Sequence, residues 1–171
     1  MNDMKKQVVL ELSFDMCSMT DSKGINDFVA EGADVNYLFC FRGVEDFPLC
    51  RALNEDVAKA LLDCGADINK KNSKGQTAIM LNKNPYVVAY LVETGADVQA
   101  TDSEGKNAVF HHAGNVPLMT YLVRSGCNPF IKDSQGKGIM HYMKLSHQKQ
   151  FHAELLKIKQ ELDTANKEAL L

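Results

Sequence analysis

The chain has 171 residues, 45% of them hydrophobic and 24% charged, the balance of a soluble globular protein of about one domain and not of a collagen, a disordered tail or a mucin-like stalk. Lys and Arg number 19 against 22 Asp and Glu, a net charge of −3, so the overall charge makes no case for nucleic acid or an anionic membrane as a partner. At this length a core can close without metal or disulfide staples.

From the N-terminus, Met1 to Gln7 leads into an apolar run of only Val8-Val9-Leu10. A signal-peptide core needs roughly 7–15 apolar residues and a membrane span about 20, and no stretch of the sequence supplies either. The expectation is a cytoplasmic protein; export by a signal-independent route would leave no mark. The five cysteines, Cys17, Cys40, Cys50, Cys64 and Cys127, are odd in number, widely spaced and free of C-x-x-C pairs. That argues against a disulfide framework or a zinc knuckle and for reduced thiols packed as small apolar groups.

One five-residue word then recurs: Gly32-Ala33-Asp34-Val35-Asn36, Gly65-Ala66-Asp67-Ile68-Asn69, Gly95-Ala96-Asp97-Val98-Gln99, and a degraded Gly126-Cys127-Asn128-Pro129-Phe130. The glycines are spaced by 33, 30 and 31 residues, a period that marks a repeat architecture. Ahead of each word, at 25–31, 58–64, 88–94 and 119–125, apolar residues fall at i, i+3 and i+4. That stripe predicts a short helix, and the glycine one or two residues later predicts its left-handed stop. Asn54 followed by Glu55 and Asp56, and Asn84 followed by Pro85, predict helix starts; Val116-Pro117 follows the same plan with Val116 as a weaker cap.

After three of the words stands Asx, Ser, a polar residue and Gly: Asn72-Ser73-Lys74-Gly75, Asp102-Ser103-Glu104-Gly105 and Asp133-Ser134-Gln135-Gly136. This is turn chemistry, and another short apolar helix is expected after each, at 78–81, 108–111 and 139–142. Phe47-Pro48-Leu49-Cys50-Arg51-Ala52 is the copy nearest the N-terminus. The link before it is long: Pro48 lies 12 residues after Asn36, whereas Ala78 lies 9 after Asn69. Its extra residues include Tyr37, Leu38, Phe39 and Phe41, with Arg42 beside them. The tip at Lys70-Lys71-Asn72-Ser73-Lys74 is basic, that at Thr101-Asp102-Ser103-Glu104 acidic. Residues 146–171 hold no Gly or Pro, and Phe151, Leu155, Ile158, Leu162, Ala165 and Ala169 recur in steps of 4 and 3. That is the stripe of one long helix, read as a cap over the final unit, with a dimer seam as the alternative.

No G-x-S-x-G, phosphate loop, G-x-G-x-x-G or H-E-x-x-H occurs. His111 and His112 are neighbours on one short helix and so point in different directions, one to the core and one to solvent. His147 and His152 lie about 140° apart around a helix, poor geometry for a shared metal. No catalytic residue, metal or cofactor is expected, and a Cys–His enzyme or enzyme accessory is the alternative.

The unit of turn, short helix, loop, second helix, glycine stop and extended link resembles the ankyrin repeat. That family reads D-x-x-G-x-T-P-L-H-x-A at the first helix and L-L-x-x-G-A-D-V-N at the end of the second. The resemblance covers roughly residues 22–145, and the second half of the pattern matches closely. The first half is eroded: Phe47-Pro48-Leu49-Cys50 keeps the proline and leucine, Thr77 the threonine and His141 the histidine. The resemblance implies an all-α solenoid of about five helix pairs with short β-hairpin-like fingers, trimmed inner loops and a long C-terminal capping helix. The first pair would be helices near 5–17 and 25–31, and the last would begin near Ile139. As a single domain over 1–171 it would comprise an N-terminal cap unit at 1–36, internal repeats at 37–69, 70–99 and 100–130, and a C-terminal cap at 131–171.

The same resemblance implies a non-catalytic module that binds a protein partner on a concave face of fingers and first helices. Tyr37, Phe39, Phe41, Arg42, Lys71, Lys74, Glu104 and His111 are the expected contact residues. The aromatic finger would anchor the partner and the lysine tip would steer it; a finger folded back over the N-terminal cap is the alternative. The short, eroded units are similar to bacterial ankyrin proteins that serve as inhibitors, toxin-neutralising partners or translocated effectors. A monomer without nucleic-acid or membrane partners is expected, a dimer or self-assembly through the C-terminal helix being the alternative.

Overall fold

The apolar stripes become helices because each is followed by a glycine able to reverse the chain. The computed structural model describes residues 21–41 and 44–168; the helix expected at 5–17 and the finger residue Arg42 lie outside them. The described elements are α1 (Ser22–Ala30), a hairpin of β1 (Phe39–Phe41) and β2 (Val44–Asp46), α2 (Pro48–Arg51), α3 (Glu55–Asp63), α4 (Ala78–Leu81), α5 (Pro85–Glu93), α6 (Ala108–His111), α7 (Val116–Arg124), a 3₁₀ turn (Ile139–Tyr142) and α8 (Leu145–Glu168).

The short helices α2, α4, α6 and the 3₁₀ turn stack in one row, and the longer α1, α3 and α5 stack in a second. Each short helix also packs on the long helix that follows it, and α8 lies on α7. No pair could bury its own stripe. Leu49, Ile79 and Val109 from the first row and Leu61 and Leu91 from the second join one core, which also takes Ile25, Phe47, Leu122 of α7 and Phe151. Each large side chain so buried contributes roughly 1.5–3 kcal/mol, and in such a stack stability accumulates from neighbour to neighbour. This is the all-α stack of helix pairs that the repeat pattern implies.

Caps set the helix starts. The Asn54 side chain accepts from the Val57 N–H at 2.9 Å and that of Asn84 from the Tyr86 N–H at 3.0 Å. The third start differs from expectation. Asn115 caps α7, accepting from the Leu118 N–H, and Val116 is already helical. The reason is chemical: valine has no side-chain acceptor to offer an orphan N–H, and asparagine has.

The turns fold around their first residue. Asp102 Oδ1 accepts from the N–H groups of Glu104 and Lys106, both at 2.9 Å. Asp133 does the same for Gln135 and Lys137, and Asn72 for Lys74 and Gln76. Each turn is then closed by a backbone bond, Asp102 N–H to Lys106 C=O at 2.9 Å in the second. Only the lengthened first link pairs as a β-ladder, Phe39 with Asp46, Cys40 with Glu45 and Phe41 with Val44. The last link adds an isolated antiparallel bridge, Lys132 with Gly138, just outside its turn, so among the described residues a full hairpin finger is confined to the lengthened first link.

The final letter of each of the first three words is a bridge. Asn36 donates to Gly65 C=O at 3.0 Å and accepts from Asp67 N–H at 2.8 Å. Asn69 accepts from Asp97 N–H at 2.8 Å, and Gln99 donates to Gly126 C=O. The fourth word carries Phe130 at this place, 77% exposed, with no fifth word ahead to receive a bond. Beyond it α8 covers α7 with Phe151 and Ile158 buried, and Arg124 pairs with Glu161. The first members of the α8 stripe are therefore used within the chain, while Leu162 is 59% exposed. No helix among the described residues is long and apolar enough to cross a membrane.

Candidate binding surface

The last residue of each first-row helix occupies the same place in successive units: Arg51, Leu81, His111 and Tyr142. A buried carboxylate stands behind each polar member. Arg51 Nε donates to Asp46 Oδ2 at 2.6 Å, with its Nη2 on the same oxygen. His111 Nε2 donates to Asp102 Oδ2 at 2.8 Å, and the Tyr142 hydroxyl donates to Asp133 Oδ2. Leu81 has nothing to donate, and behind it the acid is replaced by Asn72, whose Nδ2 instead reaches Glu45 C=O at 2.9 Å. Asp102 and Asp133 therefore each do two jobs, folding the turn with one oxygen and fixing a surface side chain with the other.

Electrostatics follow from these contacts. Burial lowers the pKa of His111 and outweighs the upward pull of Asp102, so its imidazole is neutral near pH 7 and points a fixed N–H at the carboxylate. Its neighbour His112 is buried and donates Nε2–H to Ile79 C=O at 2.8 Å; burial pulls its pKa down to about 4. The hydrogen bond from Tyr142 holds Asp133 below the usual carboxylate range, and the same bond raises the pKa of Tyr142. Lys106 is raised by its bond to Glu104, 2.6 Å away, and its ammonium lies 4.8 Å from the centre of the Tyr142 ring. Lys106 and Lys83 both act on His111. The result is a polar strip carried by rigid, identically placed units.

A family model described as ankyrin repeats, three copies, matches residues 49–133, which spans α2 to the last turn. The chain belongs to the ankyrin-repeat family. No curated protein matches it in a sequence comparison. Ankyrin repeats are in general protein–protein interaction modules, and the family is typically non-catalytic.

On this ankyrin scaffold the expected contact residues fall in two groups. Lys71, Lys74 and Glu104 are exposed on consecutive turns. Lys71 Nζ reaches Thr101 C=O at 3.3 Å, and Lys74 C=O receives the Ser103 N–H at 2.8 Å. With His111, half-buried at 16% side-chain exposure, they form one neighbourhood. The aromatic finger is different. Tyr37 and Leu38 are half-buried, and Phe39 is buried at 8% exposure, so the free chain does not offer Phe39 as an exposed anchor. The strand alternates, turning Phe39 inward and Cys40 to solvent. The side chain of Phe41 and all of Arg42 lie outside the described residues. Sequence reasoning missed Arg51, Lys83, Lys106 and Tyr142. Reading down the aligned first-helix ends would have found Arg51 and Tyr142, since a polar side chain recurs there in the register of His111.

The cysteines have structural work. Cys50 stands in the histidine slot of its first helix, accepting from Phe47 N–H and donating to Phe47 C=O. Burial pushes its thiol far above the ordinary value, and pushes Cys127 up to about 11. Activated nucleophiles shift the other way. Among the described residues no group of three or more His, Cys, Asp or Glu is placed to hold a metal ion.

Proposed function

We propose that this chain is a non-catalytic binding module that holds a protein partner along the strip of turns and first-helix ends, and thereby acts as an inhibitor, toxin-neutralising partner or adaptor. The observation that carries the reading is the repeated placement of Arg51, His111 and Tyr142, each held from behind by Asp46, Asp102 or Asp133. Side chains fixed before binding lose little freedom on binding, which is how a rigid surface gains affinity. The contact set is Lys71, Lys74, Glu104 and His111 with Arg51, Lys83, Lys106 and Tyr142, joined by Tyr37 at the edge of the first finger.

The raised thiols of Cys50 and Cys127 speak against the nucleophilic alternative. The consumption of Phe151 and Ile158 within the chain favours a capping role for α8 over a self-assembly seam. Photo-crosslinking amino acids placed singly at Lys74, Glu104, Lys59 and Tyr86 test the proposal in the source cell. Lys74 and Glu104 lie on the strip, Lys59 and Tyr86 on the outer helices α3 and α5. Adducts are expected from the first two sites; adducts confined to the second two overturn the assignment.

A further inference from the structure

Between the C-terminal ends of α2 and α4 lies a cavity of about 370 Å³, lined by Asp46, Arg51, Leu53, Leu81 and Lys83 together with Cys50 and the two loop asparagines. That size is at the low end for ligand clefts and suits one or two side chains. Its walls are fixed in advance. Asn82 donates to Ala52 C=O at 2.9 Å and Asn84 to Leu53 C=O at 2.8 Å, each bond crossing from one unit to the next. Asn84 N–H in turn donates to Asn82 Oδ1 at 2.8 Å.

The charges at this cavity do not cancel. Asp46 is matched internally by Arg51. Among the described residues no acceptor and no carboxylate meets the ammonium of Lys83. Lys83 is exposed yet lines the cavity, and lost hydration lowers its pKa. The imidazoles within reach of its field, His111 and His112, are held neutral by burial. The mouth thus carries one unanswered positive charge beside the apolar surfaces of Leu53 and Leu81, on a chain whose net charge is −3. Leu53 is itself exposed although apolar.

We propose that this cavity receives an acidic side chain of the protein partner, whose carboxylate meets Lys83 while an adjoining apolar residue covers Leu53 and Leu81. The proposal rests on the strip being the binding face and adds the chemistry of its occupant: a segment with Asp or Glu next to Leu, Ile, Met or Phe. A neutral or basic residue there leaves the Lys83 ammonium desolvated without a counter-charge, so selectivity against such segments is built in. Cys50 forms no bond to the occupant, because its thiol is engaged with Phe47.

The test is selection of a random dodecapeptide phage library on the full chain, followed by anisotropy measurements on a selected peptide. Enrichment of the acidic–apolar pair is expected. Glu→Gln in the peptide and Lys83→Met in the protein should each weaken binding about tenfold, as loss of a charged hydrogen bond does, and the two losses should not add. Lys83→Arg should keep the preference, and Lys59→Met should leave binding unchanged. Selected peptides without acidic enrichment, an acid preference that survives Lys83→Met, or a library that yields no binder overturns the proposal. Peptides that lack the acidic signature but lose binding with Lys74→Glu or Tyr142→Ala leave the strip standing as the binding face. Peptides lost only with Tyr86→Ala remove both readings.

Discussion

His112 stands where the ankyrin pattern has alanine, and the same place in other units holds Ala52, Asn82 and Met143. Buried, with its pKa pulled to about 4, it stays neutral in the folded chain at pH values where the unfolded chain has bound a proton. Its contribution is fully present above about pH 6.5 and is lost as the pH falls towards 4, a loss of about 3 kcal/mol by linkage. His112→Asn should remove most of that dependence, because an asparagine amide can donate to Ile79 C=O as Asn82 donates to Ala52 C=O. Urea unfolding of both proteins at pH 7 and pH 4 checks this; parallel losses in the two would contradict it. Thr77 offers a second case. Its hydroxyl is buried without a partner among the described residues, since Met80 occupies the slot where the family has a histidine. Removing an unsatisfied buried hydroxyl while keeping the shape should help, so Thr77→Val is expected to add about 1 kcal/mol, read as a higher urea midpoint at unchanged slope. A lower midpoint would mean that the hydroxyl has a bonding partner after all.

Turns and helix stops are where the sequence is most legible, because a single residue type has to supply a conformation that others resist. Gly65 ends α3 at φ +90° with open space where a Cβ would sit, whereas Gly75 lies at φ +72° and a Cβ there would stand 3.0 Å from Ser103 N on the next turn. Alanine at Gly65 pays only the left-handed conformation, about 1–2 kcal/mol; alanine at Gly75 adds a backbone clash and should cost clearly more. Thermal unfolding of Gly65→Ala and Gly75→Ala orders the two, and equal losses would show that the turns do not press on one another as closely as Ser103 N–H to Lys74 C=O implies. The helix pairs, their caps at Asn54 and Asn84 and the bridging word were readable for the same reason: each is a local rule with a visible residue. The cap at Asn115 was misplaced by one residue because Pro117 sits at the second helical position. The polar strip was harder to see. His111 was found as a histidine, but what fixes it is a carboxylate nine residues earlier whose turn-forming role hid its second contact. The aromatic finger was misjudged at Phe39, since composition alone does not say which face of a strand turns inward.

For the molecule as a whole, the decisive property is that the main packing contacts among the described elements run between neighbours. Outer helices lean on outer helices and inner on inner, and α8 closes the C-terminal end by packing on α7. Repeat stability is then a chain of local terms with no single centre, and damage should stay near its origin. Phe151 is fully buried where α8 meets the last units. Phe151→Ala should cost about 3–5 kcal/mol of local packing, and that cost should fall on the end it caps. Native-state amide exchange is expected to show protection lost in α8, the 3₁₀ turn and α7, with α3 and α5 nearly unchanged. Leu61→Ala, in the middle of the stack, should instead lower protection on both sides, in α1 and α5 as well as α3. Uniform loss of protection throughout the described helices in the Phe151 variant would mean that the units unfold together, and a strip of independently braced side chains would then have to be understood as one cooperative surface.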